Sequence, residues 1–218
     1  FQPTIQQGCN QSNLAVYCDL IQRDSAGKVT AWLVKPINLS KITTYGVDIE
    51  ANYQGHIGDH ALTLRGLAAW QPHIRYVQPG VATIDQGGAA FGSTGLTASP
   101  SWRMTAMASF AISKQLRVDG IYRWRNAMRL WGDPTVAWVA GQGTIAPYGQ
   151  LGVNFSASKE LGAVGKGEFF LNIQNLLNAK PVAANAPGTA AGVGGFGGWA
   201  MTDDAVGRYF TAGIRLKM

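Results

Sequence analysis

Thr211-Ala212-Gly213-Ile214-Arg215-Leu216-Lys217-Met218 is the stretch that decides the fold. Apolar residues recur at every second position to the terminus, which is the period of a strand rather than of a helix. Ala212, Ile214, Leu216 and Met218 share one face; Thr211, Gly213, Arg215 and Lys217 share the other. A soluble sandwich can also finish on such a strand, so the reading rests on what precedes it.

Composition narrows the class. Charged residues make up 14% of the chain and hydrophobic residues 46%, with 28 glycines and 7 tryptophans. A soluble domain carries roughly a quarter charged residues. No stretch approaches the length of about 18 apolar residues that a spanning helix needs. Apolar surface without such a helix fits a transmembrane β-barrel, where only alternate residues meet lipid. The net charge of +6 does not come from a Lys/Arg run. Arg65, Arg103, Arg117, Arg123, Arg125 and Arg215 fall singly on polar strand faces, as a wet barrel lining does, and no nucleic-acid partner is expected.

Seven segments alternate clearly. Tyr45, Val47, Ile49, Ala51 and Tyr53 oppose Gly46, Asp48, Glu50, Asn52 and Gln54 in the first. The second runs from His60 to about Tyr76, with a bulge or membrane exit expected at Pro72, which cannot donate to a ladder. The third sets Trp102, Met104, Ala106, Ala108, Phe110 and Ile112 against Arg103, Thr105 and Ser109. The fourth opposes Leu116, Val118, Gly120, Tyr122 and Trp124 to Arg117, Asp119, Arg123 and Arg125. Leu151–Ala157, Phe169–Ile173 and the terminal strand complete the set.

The connections alternate short and long. Residues 55–59, 113–115 and 162–165 are tight, whereas 78–100, 132–147 and 179–206 are long. Outer-membrane barrels divide their loops this way, with short periplasmic turns and long extracellular loops. Trp70, Tyr76, Trp102, Trp124, Trp131, Tyr148 and Tyr209 lie toward the long loops, and Tyr53 and Phe110 toward the short turns, as two interfacial girdles would. The strand order should therefore be sequential and antiparallel.

Three stretches resemble the C-terminal part of a TonB-dependent outer-membrane receptor. One comprises Cys9…Cys18-Asp19-Leu20-Ile21-Gln22-Arg23-Asp24, Ile37-Asn38-Leu39 and Tyr45-Gly46-Val47-Asp48-Ile49-Glu50-Ala51. Another is Phe170-Leu171-Asn172-Ile173-Gln174-Asn175-Leu176-Leu177-Asn178, similar to the penultimate-strand motif. The last is Gly207-Arg208-Tyr209-Phe210 leading into the terminal strand, where Thr211, Gly213, Leu216 and Met218 would form the C-terminal assembly signal. Met218 departs from the terminal Phe usual in the family.

The resemblance implies an all-β, antiparallel up-and-down transmembrane segment, seven or eight strands of a barrel of about 22, with no plug domain in this chain. Residues 1–38 would be an extracellular loop region and 39–218 barrel strands. The stretch from Phe1 carries no export leader, so a fragment of a longer protein is expected. Residues 28–35 fit either a hairpin arm or an eighth strand. The implied function is import of a scarce ligand, of iron-chelate, cobalamin or saccharide class, across the bacterial outer membrane. Implied partners are outer-membrane lipid, the barrel-assembly machinery, a small-molecule ligand, and the TonB complex through the absent plug. The runner-up is a self-contained small barrel serving as a pore or anchor, and the third reading is a soluble sandwich.

Covalent chemistry is not expected, nor is a cofactor or metal. Cys9 and Cys18 lack zinc-site spacing and fit a disulfide in a small exposed loop of an exported protein. His56 and His60 flank a turn, and His73 has no carboxylate near it in sequence. The run Gly192–Trp199 lacks the ending of a phosphate loop and reads as flexible loop. Loop aromatics Phe91, Trp138, Phe196 and Trp199 are the candidate ligand contacts, with loop-on-loop packing the competing role.

Overall fold

The amino-terminal stretch, expected as loop, is regular. Helix α1 spans Gln2–Ser12 and α2 spans Ala15–Cys18, followed by a hairpin of β1 (Ile21–Arg23) and β2 (Val29–Trp32). The computed structural model describes residues 2–34, 41–78, 81–91, 99–131, 143–162, 165–182, 184–185, 197–198, 200 and 202–217. Asp24 closes the β1–β2 hairpin: its carboxylate accepts from the backbone N–H groups of Ala26 and Lys28, at 3.0 and 2.9 Å. Ile5, Leu20 and Ile21 are buried together, with Cys9, Val29 and Trp32 packed against them. Cys9 and Cys18 are joined as a disulfide, their Cα atoms 4.8 Å apart. It links α1 to α2, and most of the residues it encloses are exposed. Of the stretch 28–35, Val29–Trp32 forms a hairpin arm, since among the described residues β2 pairs with β1.

The chain divides into two compact units, Phe1–Thr44 with His73–Asp85, and Tyr45–Pro72 with Gln86–Met218. In chain order the remaining strands are β3 (Lys41–Ile57), β4 (His60–Gln78), β5 (Val81–Asp85), β6 (Ala89–Phe91), β7 (Trp102–Ala111), β8 (Leu116–Arg125), β9 (Met128–Trp131), β10 (Thr144–Ile145), β11 (Tyr148–Glu160), β12 (Lys166–Gln174), β13 (Ala184–Asn185), β14 (Gly197–Gly198) and β15 (Tyr209–Lys217). The main sheet runs β3-β4-β7-β8-β11-β12-β15, sequential as expected, with β5 paired beside β4. The pairings of β4 with β5, β4 with β7, β7 with β8, β8 with β11, β11 with β12 and β12 with β15 are antiparallel. The protein is all-β in class, and among the described residues the sheet is open, with β3 and β15 at its two ends.

The short turns fall where expected. Gly58 reverses β3 into β4 at φ +59°, a conformation natural to glycine. Pro72, which has no N–H to donate, lies within β4, a strand that continues through it. Pairing of β4 with β7 ends at Trp70–Trp102, and pairing with β5 begins at Arg75–Asp85. The proline lies at this change of partner, while the register irregularity falls later, at Tyr76/Gln78.

The long connections differ from plain loops. Strands β6, β9 and β10 form a separate sheet in which β6 and β9 run parallel. Ala90, Met128, Leu130, Ile145 and Ala200 form a buried cluster. Gly197–Gly198, within the glycine run, pairs with Ala184–Asn185. The sequential rule therefore holds for the main sheet and fails in its loops, where a parallel pair needs no hairpin.

Candidate functional site

The register of the main sheet sorts its side chains. Across six strands Leu62, Phe110, Val118, Phe155, Leu171 and Ala212 stand opposite one another in turn. One residue along, the row is Thr63, Ser109, Asp119, Asn154, Asn172 and Thr211. Neighbours in a ladder share a face, so one face is apolar and the other polar over the whole span. The alternation legible in each strand is thus preserved by pairing, which a one-residue slip at any strand would have destroyed.

The apolar face is open to its surroundings. Ile49 is 52% exposed, Phe169 50%, Phe210 63% and Ile214 74%. A soluble surface rarely carries a contiguous apolar band of this kind. Toward the long connections the face carries aromatics: Tyr45 meets Trp70 edge-on at 6.4 Å, and Trp70 meets Trp102 at 6.1 Å. Trp124 stands opposite Met104 on the same face. Tyr148 and Tyr209 do not join this band. Tyr148 pairs with Arg125 and Tyr209 with Gln174, on the polar side, because each starts its strand one residue out of phase with the apolar set.

The polar face is laced with hydrogen bonds. Ser109 donates to Asp119 at 2.6 Å, and Asn154 donates to the other oxygen of the same carboxylate at 3.3 Å. Glu50 accepts from Arg65 at 2.8 Å, and Glu168 from Arg215 at 3.1 Å. These charges compensate one another in an exposed setting where each pair is worth little on its own.

Arg125 departs from the expected row of exposed cations. Its side chain is 5% exposed and meets the fully buried Asp203 through two guanidinium nitrogens. A third nitrogen donates to the carbonyls of Asn126, at 2.9 Å, and Ala146, at 2.7 Å. Tyr148 donates to the carbonyl of Asp204 at 2.7 Å, and Gln150 to the same oxygen at 3.2 Å. Residues 202–206 are thereby fastened against the ends of β8 and β11. Beside this anchor is a groove of about 400 Å³ bordered by Arg103, Thr105, Arg123, Tyr148, Gln150 and Asp204, among others.

Of the sequence candidates, Thr211, Gly213 and Leu216 lie on β15, opposite Asn172, Phe170 and Gly167. Met218 lies outside the described residues, as do Trp138, Phe196 and Trp199. Phe91 ends β6, its backbone opposite Trp131. The described residues therefore bring no cluster of loop aromatics together. His73 does meet a carboxylate, contrary to its sequence surroundings: β5 folds back on β4 and sets Asp85 against the imidazole Nδ1. Arg75 approaches the same carboxylate at 3.6 Å, and the Ile74 N–H donates to it at 3.1 Å. The hydroxyl of Thr44 donates to the His73 carbonyl rather than to its ring. His60 stacks near Phe110 at 5.8 Å. Among the described residues no group of three or more His, Cys, Asp or Glu is placed to hold a metal.

Sequence reasoning missed Asp203 and the groove beside it. Folding β7 and β8 about their short turn does bring Arg103 opposite Arg125, and that much could have been counted. The arrival of Asp203 from 78 residues away could not. No protein-family model and no curated protein matches the chain.

Proposed function

We propose that this chain is the C-terminal part of the barrel wall of a TonB-dependent outer-membrane receptor, importing a scarce small-molecule ligand. The observation that carries the reading is the six-strand register that keeps one continuous apolar face, uncovered among the described residues, against one polar face. Lipid satisfies the first and a wet lumen the second. The aromatic band of Tyr45, Trp70 and Trp102 suits the headgroup level. The buried cluster and the Arg125–Asp203 anchor belong to the long connections, where a receptor displays structured loops.

The hairpin of β1 and β2 favours the larger wall over a self-contained small barrel. That alternative needs 28–35 as a wall strand, and β2 pairs elsewhere. A soluble sandwich would pack a second sheet on the apolar face, and the described residues supply none.

The test is fractionation of cells expressing the full-length parent. The expected result is recovery in the outer-membrane fraction as a species whose gel mobility changes on boiling. Recovery in the soluble fraction without detergent would overturn the proposal.

A further inference from the structure

We infer that Arg103 and Arg123 together form a binding site for a carboxylate or phosphate group at the long-loop end of the polar face. Both arginines border one groove of about 400 Å³ and both are exposed. Arg103 stands opposite Arg125, and Arg123 opposite Thr105, so three cations occupy adjoining positions on β7 and β8. Like charges this close repel unless something neutral or negative intervenes.

Carboxylates border these grooves, but among the described residues none of them stands within ion-pair distance of Arg103 or Arg123. Asp203 is fully buried and committed to Arg125. Asp204 accepts the backbone N–H of Val206 at 2.8 Å. On its other side Arg103 borders a groove with Asp48 and Glu50, where Glu50 is held by Arg65 at 2.8 Å. Among the described residues neither Arg103 nor Arg123 makes an ion pair within 4.0 Å.

A guanidinium offers paired N–H donors that match the two oxygens of a carboxylate or phosphate. Two such forks, with Thr105 bordering the same groove, present donors to an anion. The β7–β8 ladder holds the two forks, and the Arg125–Asp203 pair fastens residues 202–206 beside them. This site names the ligand chemistry for the proposed receptor and rests on that reading for its use. Its binding test does not.

The experiment is calorimetric titration of the purified full-length protein with citrate, with inorganic phosphate and with sucrose. Saturable binding of citrate or phosphate, weakened by salt, with no binding of sucrose, is expected. Whichever anion binds identifies the class. Arg103→Gln and Arg123→Gln should each weaken it about tenfold or more, the scale of a lost charge-assisted contact. Arg117→Gln, on the same face at the short-turn end, should leave it within about twofold. Unchanged heat-dependent gel mobility, or an unchanged circular dichroism spectrum if the protein is soluble, certifies each variant as folded. No binding of either anion to the wild type would overturn the inference, as would an equal loss in Arg117→Gln, which would mean diffuse charge alone. Binding by a protein found in the soluble fraction would retain this site while ending the receptor reading.

Discussion

Arg125 and Asp203 are 78 residues apart in the chain and meet as a two-point ion pair with side chains only 5% and 0% exposed. Such a pair need not add much net stability, because two charges lose their hydration to form it. Its asymmetry is the useful property. Removing one member strands the other without water or counter-charge.

Asp203→Ala should therefore loosen the long-loop end by about 3–5 kcal/mol. The measurement is the temperature at which the folded, fast-migrating form is lost. Arg125→Met combined with Asp203→Ala should recover more than half of that loss, since no buried charge remains. A double variant worse than the single one would mean the pair contributes through attraction and not through mutual neutralisation.

Gly213 and Phe170 offer a second coupled test. A Cβ on Gly213 would lie 2.6 Å from the Phe170 ring, so the ring covers the glycine across the β12–β15 ladder. Gly213→Val should cost about 1–3 kcal/mol through overpacking and lower the yield of assembled protein. Phe170→Ala in the same chain should restore much of it. Equal deficits with and without Phe170 would point to a direct role of Gly213 in assembly instead of a steric one.

The faces and the order of the main sheet were legible because both follow from a period of two and from short turns that leave each strand only its neighbour to pair with. Phe110, Val118 and Phe155 could be assigned to one face before any pairing was known. Helix α1 was not legible, since Ile5 and Cys9 are among its few apolar residues and no strong 3.6-residue stripe results. The parallel contact of β6 with β9, and the meeting of His73 with Asp85, depend on how long connections return, which local pattern does not encode. Of the ligand candidates, Trp138, Phe196 and Trp199 lie outside the described residues, and the backbone of Phe91 ends β6. They were chosen as aromatics on loops, whereas the groove the structure builds is bordered by Arg103 and Arg123, residues read only as wall lining.

The Cys9–Cys18 disulfide closes a loop of ten residues over the small cluster of Ile5, Leu20 and Ile21. In the chain-entropy model such a closure is worth about 2–3 kcal/mol. Reduction should raise hydrogen exchange in residues 2–34 and leave the Leu62–Phe110 and Phe155–Leu171 ladders protected. Alkylation before reduction should add no label at either cysteine. Labelling of both in the native protein would show that the bond does not form in the cell.

Ile49 and Asp48 are adjacent on β3 and should respond oppositely to substitution. Tyr45 meets Trp70 on the apolar face, and Glu50 meets Arg65 on the polar one. Counting by twos from those contacts places Val47 and Ile49 with Trp70, and Asp48 with Arg65. If the apolar face meets lipid, Ile49→Arg inserts a charge near the bilayer midplane at a cost of roughly 2–4 kcal/mol. Asp48→Asn keeps shape and hydrogen bonding in a wet lumen and should cost little. The measurement is the yield of heat-modifiable protein in the outer-membrane fraction of the full-length parent, where Ile49→Arg should fall well below Asp48→Asn. Because the two positions share a strand and a depth, local strand stability largely cancels in the comparison. Equal yields would sink the lipid assignment, since a face bathed in water tolerates Arg as readily as Asn. The reverse order would mean that β3 presents Asp48 and Glu50 to the apolar side, against the contacts that Tyr45 and Arg65 make.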